Sequence, residues 1–541
     1  MSDAQAVPIP ASPPPAAAQS IPWAGLAAVL LGTFISTLNG RFTTFGLADM
    51  RGAVHAGFDE GAWITTAQTT AQMLMAPVAI WLGGVLGPRR VLLEAAAIYA
   101  IVSFLEPLST NLPTLLGFQF AGGLASGVFI PLTLGFIVRT TPPRLWAYGI
   151  ALYALNLELS LNISASLEGW YVDHLSWRWI FWQNIPLALG MFALLRFGVR
   201  PDPPNPDAPK ADVFGLFSLG VGLALIYAGL DQGNRLDWLN SGLVWGLLLS
   251  GALLVAAFFV HERRTAHPFI DLKVLFAQPL PYLLVLVAFL RLTILATAYL
   301  IPQYLGVVRG FRALEVGQTT IWIAAPQLIF CPLAGLMLRR MDPRIVSSVG
   351  FIFIAVACLM VAHGLTSLWG SDQFLPSQLL QAVGQSLALS GVVFFAILHL
   401  KPKDALTFGA AIQIARLMGG QGGQAFIVTL VRVRSQIASN HIGLHVQAGD
   451  WQVAQRLQAY AAIMRRGVGP VTASDRAVAV LSGVVRSAAT TQGVIDGFVV
   501  IGALTALCLI IVVARGAAPI GPASHISLLA RRGSPPQAAS S

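Results

Sequence analysis

Three arginines and one glutamate stand in stretches otherwise too apolar to hold charge. Glu158 sits in YALNLELSLNISASLEGW, flanked by Asn156, Ser160, Asn162, Ser164 and Ser166. At 100° per residue, Glu158, Asn162 and Ser166 fall at i, i+4 and i+8 on one helical face, able to line a polar cavity. A carboxyl group so placed is a candidate proton carrier, because burial and a neighbouring arginine together tune its proton affinity. The competing reading is a structural ion pair with Arg41 or Arg291. Arg41 lies in STLNGRFTTFGL, and Arg291 and Arg416 lie near the centres of later apolar runs. Ionisable groups at membrane depth are costly and face a partner or a wet cavity. Three arginines against one central acid leave two options. They pair with Glu168 and Asp49 nearer the helix ends, or they build an electropositive cavity suited to anions. Gln68, Gln119, Asn156 and Asn162 complete the candidate cavity lining.

Other chemistries find no support. No phosphate-binding loop ending in Lys-Ser or Lys-Thr is present, which argues against ATP drive. GGLASG at Gly122–Gly127 and GGQGG at Gly419–Gly423 read as close helix packing. Cys331, Cys358 and Cys508 lie inside apolar runs without metal or disulfide spacing. His363 and His399 are isolated near helix ends. No metal, cofactor or enzymatic nucleophile is therefore expected.

The elements that must position these groups follow from composition. Of 541 residues, 56% are hydrophobic and only 10% charged, and mean hydropathy is +0.71. Soluble domains carry about 25% charged residues, so lipid must cover much of this chain. The apolar runs are about 20 residues long, which selects helices over a barrel. Fourteen helices are expected, at 22–48, 62–82, 91–109, 112–138, 146–168, 178–197, 212–231, 240–260, 280–303, 318–340, 344–362, 373–399, 405–431 and 494–515. The net charge of +10 resides mainly in short loops and argues for membrane orientation rather than nucleic-acid binding. Arg89, Arg90, Arg139, Arg144, Arg200, Lys210, Arg263, Arg264, Lys273, Arg339, Arg340, Arg344, Lys401 and Lys403 fall on one side. The other side's short loops hold only Arg51, Arg178, Arg235, Arg309 and Arg312. The first side should be cytoplasmic and hold both termini.

Pro142, Tyr148, Gly149 and Ala151 match Pro402, Phe408, Gly409 and Ala411 at a constant offset, which suggests a parallel duplication. The expected layout is a disordered tail at 1–21 and a six-helix bundle at 22–199. A proline-rich linker with two inserted helices follows at 200–279. A second six-helix bundle occupies 280–515, with a long periplasmic loop at 432–493, and a second tail ends the chain at 516–541.

The residues also resemble a known family. WITTAQ (Trp63–Gln68), GPRRVLL after helix two, Ile130–Leu132, the Pro142–Arg144 loop, WRWIFWQNIPLAL (Trp177–Leu189) and IARLMGGQGGQAF (414–426) are similar to the fourteen-helix drug:proton antiporters of the major facilitator superfamily, the EmrB/QacA type. The resemblance implies two six-helix bundles rocking about a central site, with proton influx driving efflux across a bacterial inner membrane. It also implies a periplasmic adaptor and an outer-membrane channel as partners. The pattern departs at the usual relay positions. The family's helix-one acid is Asn39 here, its helix-four arginine Gln119 and its helix-two loop aspartate Gly84. Its helix-five Gly-Pro is Ser164-Ala165, and Glu168 replaces a glycine. Arg416 matches a family arginine. The expectation is proton-coupled export of amphipathic or aromatic compounds. Glu158 is the proton carrier, Arg41 its charge partner, and Arg291, Gln68, Gln119, Asn156, Asn162 and Arg416 line the cavity. The alternatives are export of small organic anions such as aromatic acids, a membrane-embedded enzyme, and a non-transporting receptor.

Overall fold

The computed structural model describes residues 23–514 except 202–211, 266–271, 273–275, 277–279, 400–404, 448 and 466–468. The two expected tails and most of the proline-rich linker lie outside the described residues. Fourteen long helices follow one another: α1 Trp23–Phe45, α2 Trp63–Val85, α3 Pro88–Leu105, α4 Leu112–Thr140 (broken at Val128), α5 Trp146–His174, α6 Asn184–Gly198, α7 Val213–Gly233, α8 Gly242–Glu262, α9 Leu280–Arg309, α10 Ala313–Leu338, α11 Pro343–Gly364, α12 Ser371–Ile397, α13 Ala405–Gly443 and α14 Pro470–Val513. Helix starts carry local signals. Pro88, Pro343 and Pro470 occupy first-turn positions that need no backbone donor. Asn111, Asp212 and Asp342 cap α4, α7 and α11 by accepting the backbone N–H of Thr114, Gly215 and Arg344.

Twelve of the described helices are long and apolar enough to cross a membrane. The chain is a multi-pass membrane protein. The two long helices outside that set, α2 and α13, carry Thr65, Thr66, Gln68, Thr69 and Gln72, and Gln413, Arg416, Gln421 and Gln424. Their polarity lowers hydropathy because they face protein rather than lipid; Thr66, Gln68, Gln72, Gln413 and Gln421 are buried.

The fold is two six-helix bundles, α1–α6 and α9–α14, with the α7–α8 pair between them in sequence. The packing within the first bundle recurs in the second, eight helices on. The pairs α1/α5, α1/α6, α2/α4, α3/α4 and α3/α6 correspond to α9/α13, α9/α14, α10/α12, α11/α12 and α11/α14. The glycine motifs serve this packing. A Cβ on Gly123 would lie 2.3 Å from the Gln68 carbonyl oxygen, and one on Gly419 would lie 2.2 Å from that of Ala288. Helix α8 packs mainly on α7 and exposes Leu249, Leu253 and Val260 to the lipid side.

The 432–493 connection, expected as a loop, is largely helical. Helix α13 runs 39 residues and α14 runs 44. At 1.5 Å per residue each is about 60 Å long, twice the roughly 30 Å hydrocarbon core. Together with the helix Trp451–Met464 they form a helical projection beyond the membrane slab.

Candidate functional site

The two bundles meet along two seams. The first joins α5 to α10 over their whole length. Near the end of the molecule where α1 begins and α14 stops, here called the termini end, the Arg339 guanidinium donates to the Tyr148 hydroxyl at 3.1 Å and lies over its ring. Near the opposite end, the Ser166 hydroxyl donates to the Gly317 carbonyl at 2.9 Å. The second seam joins α2 and α4 to α13 and closes only at the termini end. There a Cβ on Gly409 would lie 2.4 Å from the Pro131 carbonyl oxygen, and the Leu406 side chain comes against Gly135 of α4 and Gly83 of α2. Toward the opposite end α7 fills the gap between α2 and α13.

This asymmetry leaves a cavity of about 190 Å³ in the half of the protein away from the termini. Ser36, Thr37 and Arg41 of α1, Thr65, Thr69 and Gln72 of α2, Tyr227 and Asp231 of α7, Arg291 and Leu295 of α9, and Arg416, Gln421 and Gln424 of α13 line it. A smaller, more enclosed space of about 20 Å³ lies beside it, lined by Arg41, Asn162, Gln378, Gln381 and Gln385.

Glu158 is fully buried, and its carboxylate accepts from the Arg291 guanidinium at 2.8 Å. This ion pair links α5 of one bundle to α9 of the other. The expected pairing with Arg41 is replaced by Arg291; Arg41 lines both cavities and its guanidinium sits 5.2 Å from the Phe45 ring centre. Neither Arg41 nor Arg416 forms an ion pair among the described residues; Arg416 donates to Gln413 at 3.0 Å. The α5 face expected to line a cavity instead joins the bundles. Asn162 donates to Gln327 of α10 and Gln385 of α12, both at 3.3 Å, and Gln327 donates to Gln385 at 3.2 Å. Asn162 also reaches the smaller cavity.

The remaining candidates line neither cavity. The Gln68 side chain accepts from Thr43 at 3.0 Å inside the first bundle. Asn156 donates to its own helix at Leu152. Gln119 is fully buried between α2 and α3, on the α4 turn holding Gly122 and Gly123. A glutamine's polarity alone does not specify which side of its helix faces the cavity.

Sequence reasoning missed Asp231, Tyr227, Gln421 and the Gln327–Gln385 pair. Asp231 lies in the last turn of α7, where an acid looks like an ordinary helix terminus. The available signal was the Gln381/Gln385 spacing of one helical turn inside an apolar run. Among the described residues no group of His, Cys, Asp and Glu could hold a metal ion.

Comparison with known proteins agrees with this architecture. The Major Facilitator Superfamily profile matches residues 29–424. The chain is 26% identical over 355 residues to the "Probable multidrug resistance protein EmrY" of Escherichia coli K12, covering 66% of this chain and 68% of the relative. It is 21% identical over 403 residues to the "Multidrug export protein EmrB" of the same organism, covering 74% and 79%. It is 22% identical over 441 residues to the "Fatty acid resistance protein FarB" of Neisseria gonorrhoeae, covering 80% and 85%. Among solved structures, the proton:xylose symporter XylE shares the fold with a TM-score of 0.56 at 12% identity, over 91% of this chain and 94% of that one. Human MFSD10 does so with a TM-score of 0.54 at 13% identity, over 91% and 98%. The chain is similar to multidrug exporters of the EmrB type, is a transporter rather than an enzyme, and belongs to the major facilitator superfamily.

Proposed function

We propose that this protein exports amphipathic or aromatic small molecules by alternating access, driven by proton influx through Glu158. The observation that carries this reading is the Glu158–Arg291 ion pair. It is buried, it joins the two bundles, and Arg291 reaches the cavity between them. Protonating Glu158 removes the charge that holds Arg291. A buried guanidinium without its carboxylate is costly, so the two bundles then favour a different relative position. A proton and a substrate that each bias this equilibrium are thereby coupled through one two-state movement. The names of EmrB and EmrY, multidrug export and multidrug resistance, support the direction.

In this reading the chain lies in a bacterial inner membrane with both termini cytoplasmic, as the basic loops require. The cavity then opens away from the cytoplasm. The helical projection at 432–493 reaches into the periplasm, where a periplasmic adaptor protein and outer-membrane channel would complete the path.

A second reading names small organic anions as substrates. Arg41 and Arg416 favour it, since both line the cavity and neither has a carboxylate partner among the described residues. Two fixed cations in one cavity attract carboxylate groups. FarB, by name a fatty acid resistance protein, supports this class.

The test is uptake of labelled lipophilic cations and aromatic acids into inverted membrane vesicles with and without a proton gradient. Gradient-driven uptake is expected, and the preferred charge separates the two readings. Absence of a gradient effect for both classes would overturn proton-coupled export.

A further inference from the structure

We propose that Asp231, on the inserted helix α7, is a second proton-binding site of the transport cycle. The proposal rests on the proton-coupled reading above and adds a site that Glu158 does not supply. The Asp231 carboxylate accepts from the Thr66 hydroxyl on α2 of the first bundle. It also accepts from the Gln421 amide on α13 of the second bundle, at 2.9 Å. The side chain thus spans the α2–α13 crevice, across the cavity from the Glu158–Arg291 pair, and it lines the same 190 Å³ cavity.

Its charged surroundings leave it poised. Arg235, just beyond α7, is engaged by Asp59 at 2.8 Å and by Gln232 at 2.7 Å. Tyr227 on α7, Arg416 on α13, Arg41 on α1 and Arg291 on α9 face the same cavity. None of them forms an ion pair with Asp231 among the described residues. Neutral donors alone satisfy the carboxylate, and an acid held in a cavity between two bundles without an ion partner is a natural proton acceptor.

Protonation changes what the group can do. The ionised carboxylate only accepts hydrogen bonds, whereas the acid gives up acceptor capacity and gains a donor. Thr66 and Gln421 are both donating to it, so a proton on Asp231 weakens one bridge between the bundles. Helix α7 must also leave the crevice if α2 and α13 are to close there. The connection just beyond this end of α7 is pinned to the second bundle as well, with the Trp238 indole donating to the Thr429 hydroxyl at 3.0 Å. Asp237 and Trp238 hold left-handed backbone angles, with φ 60° and 49°. Releasing Asp231 loosens one link across the crevice, while Gln232 still donates to Thr66 and Arg235 to Asp59 on the first bundle, and Trp238 to Thr429 on the second.

The experiment uses the full chain, purified and reconstituted, as wild type, Asp231→Asn, Asp231→Glu and Glu158→Gln. Infrared difference spectra across a pH titration read protonated carboxyl groups directly and need no substrate. Against the wild-type spectrum, Asp231→Asn and Glu158→Gln should each lose one titrating carboxyl band, and not the same one, while Asp231→Glu keeps both of these with one displaced. Accumulation of ethidium or salicylate in proteoliposomes then reads stoichiometry. At an imposed gradient of about one pH unit, one proton fewer per cycle lowers steady-state accumulation about tenfold. An unchanged carboxyl spectrum in Asp231→Asn overturns the proposal, as does unchanged accumulation in a variant that still responds to the gradient. Loss of gradient response in the wild type itself would instead overturn the proton-coupled reading on which the site depends.

Discussion

Glu158 and Arg291 face each other at 2.8 Å across the junction of the two bundles, and both are buried. They begin a polar line that continues along α5. One turn on, Asn162 meets Gln327 and Gln385, and one turn further Ser166 meets the Gly317 carbonyl. The line keeps α5 on α10 from end to end, while α2 and α13 touch only near the termini. A rocking movement therefore pivots on the α5–α10 seam and opens or closes the α2–α13 side. The ion pair sits on the pivot, where a change in charge acts on both bundles.

Replacing Glu158 by glutamine keeps the shape and removes the titratable group. Gradient-driven accumulation in proteoliposomes should fall at least tenfold, while exchange of labelled for unlabelled substrate without a gradient persists. Export that keeps its pH dependence in this variant would remove Glu158 from the coupling role.

Arg291→Ala leaves the Glu158 carboxylate buried and unpaired. Losing one member of a buried pair costs about 3–5 kcal/mol. Thermal unfolding in detergent should show a clear drop in midpoint. The double variant Glu158→Leu/Arg291→Leu should recover most of it, because an apolar pair carries no desolvation penalty. If the double variant is as unstable as Arg291→Ala, the loss comes from packing of the arginine stem and not from the stranded charge.

Arg41→Gln and Arg416→Gln address the cavity's charge. A hydrogen bond to a charged group contributes about 1.5–3 kcal/mol. If an aromatic carboxylate binds these side chains, each variant should weaken its half-saturation by about tenfold or more and leave neutral aromatic compounds unchanged. Equal effects on both substrate types would mean the arginines shape the cavity without selecting charge.

The helices were legible in the sequence because lipid imposes long apolar runs, and Glu158 stood out because such runs exclude acids. Its partner was not legible. Arg41 and Arg291 both stand in apolar stretches of sequence, and only the meeting of α5 with α9 selects between them. Asp231 was hidden for a related reason. It sits near a helix end, where acids are common, and its importance comes from α7 lying between α2 and α13, a placement no local pattern encodes. Gln68 and Gln119 show the opposite error: both are polar at membrane depth, yet one meets Thr43 inside the first bundle and the other lies between α2 and α3. The helices of the 432–493 connection were not legible because they are too polar to resemble spans and are separated by the glycine- and proline-containing stretches at 443–450 and 467–470.

The seal at the termini end offers the sharpest mechanical test. Gly409 on α13 approaches the Pro131 carbonyl so closely that a methyl group would lie 2.4 Å from that oxygen. Backbone cannot yield as a flexible side chain would, so Gly409→Ala must push α13 away from α4. The closed arrangement at this end is then disfavoured relative to the one open there. Leu134, buried at the same seam, reports the change when replaced by cysteine. The native thiols Cys331, Cys358 and Cys508 are buried and give little background. Maleimide labelling of Leu134→Cys should be slow alone and several-fold faster when combined with Gly409→Ala, with transport reduced in parallel. Unchanged labelling would show that α4 and α13 do not form the gate at this end, and the pivot would then have to lie elsewhere than along α5 and α10.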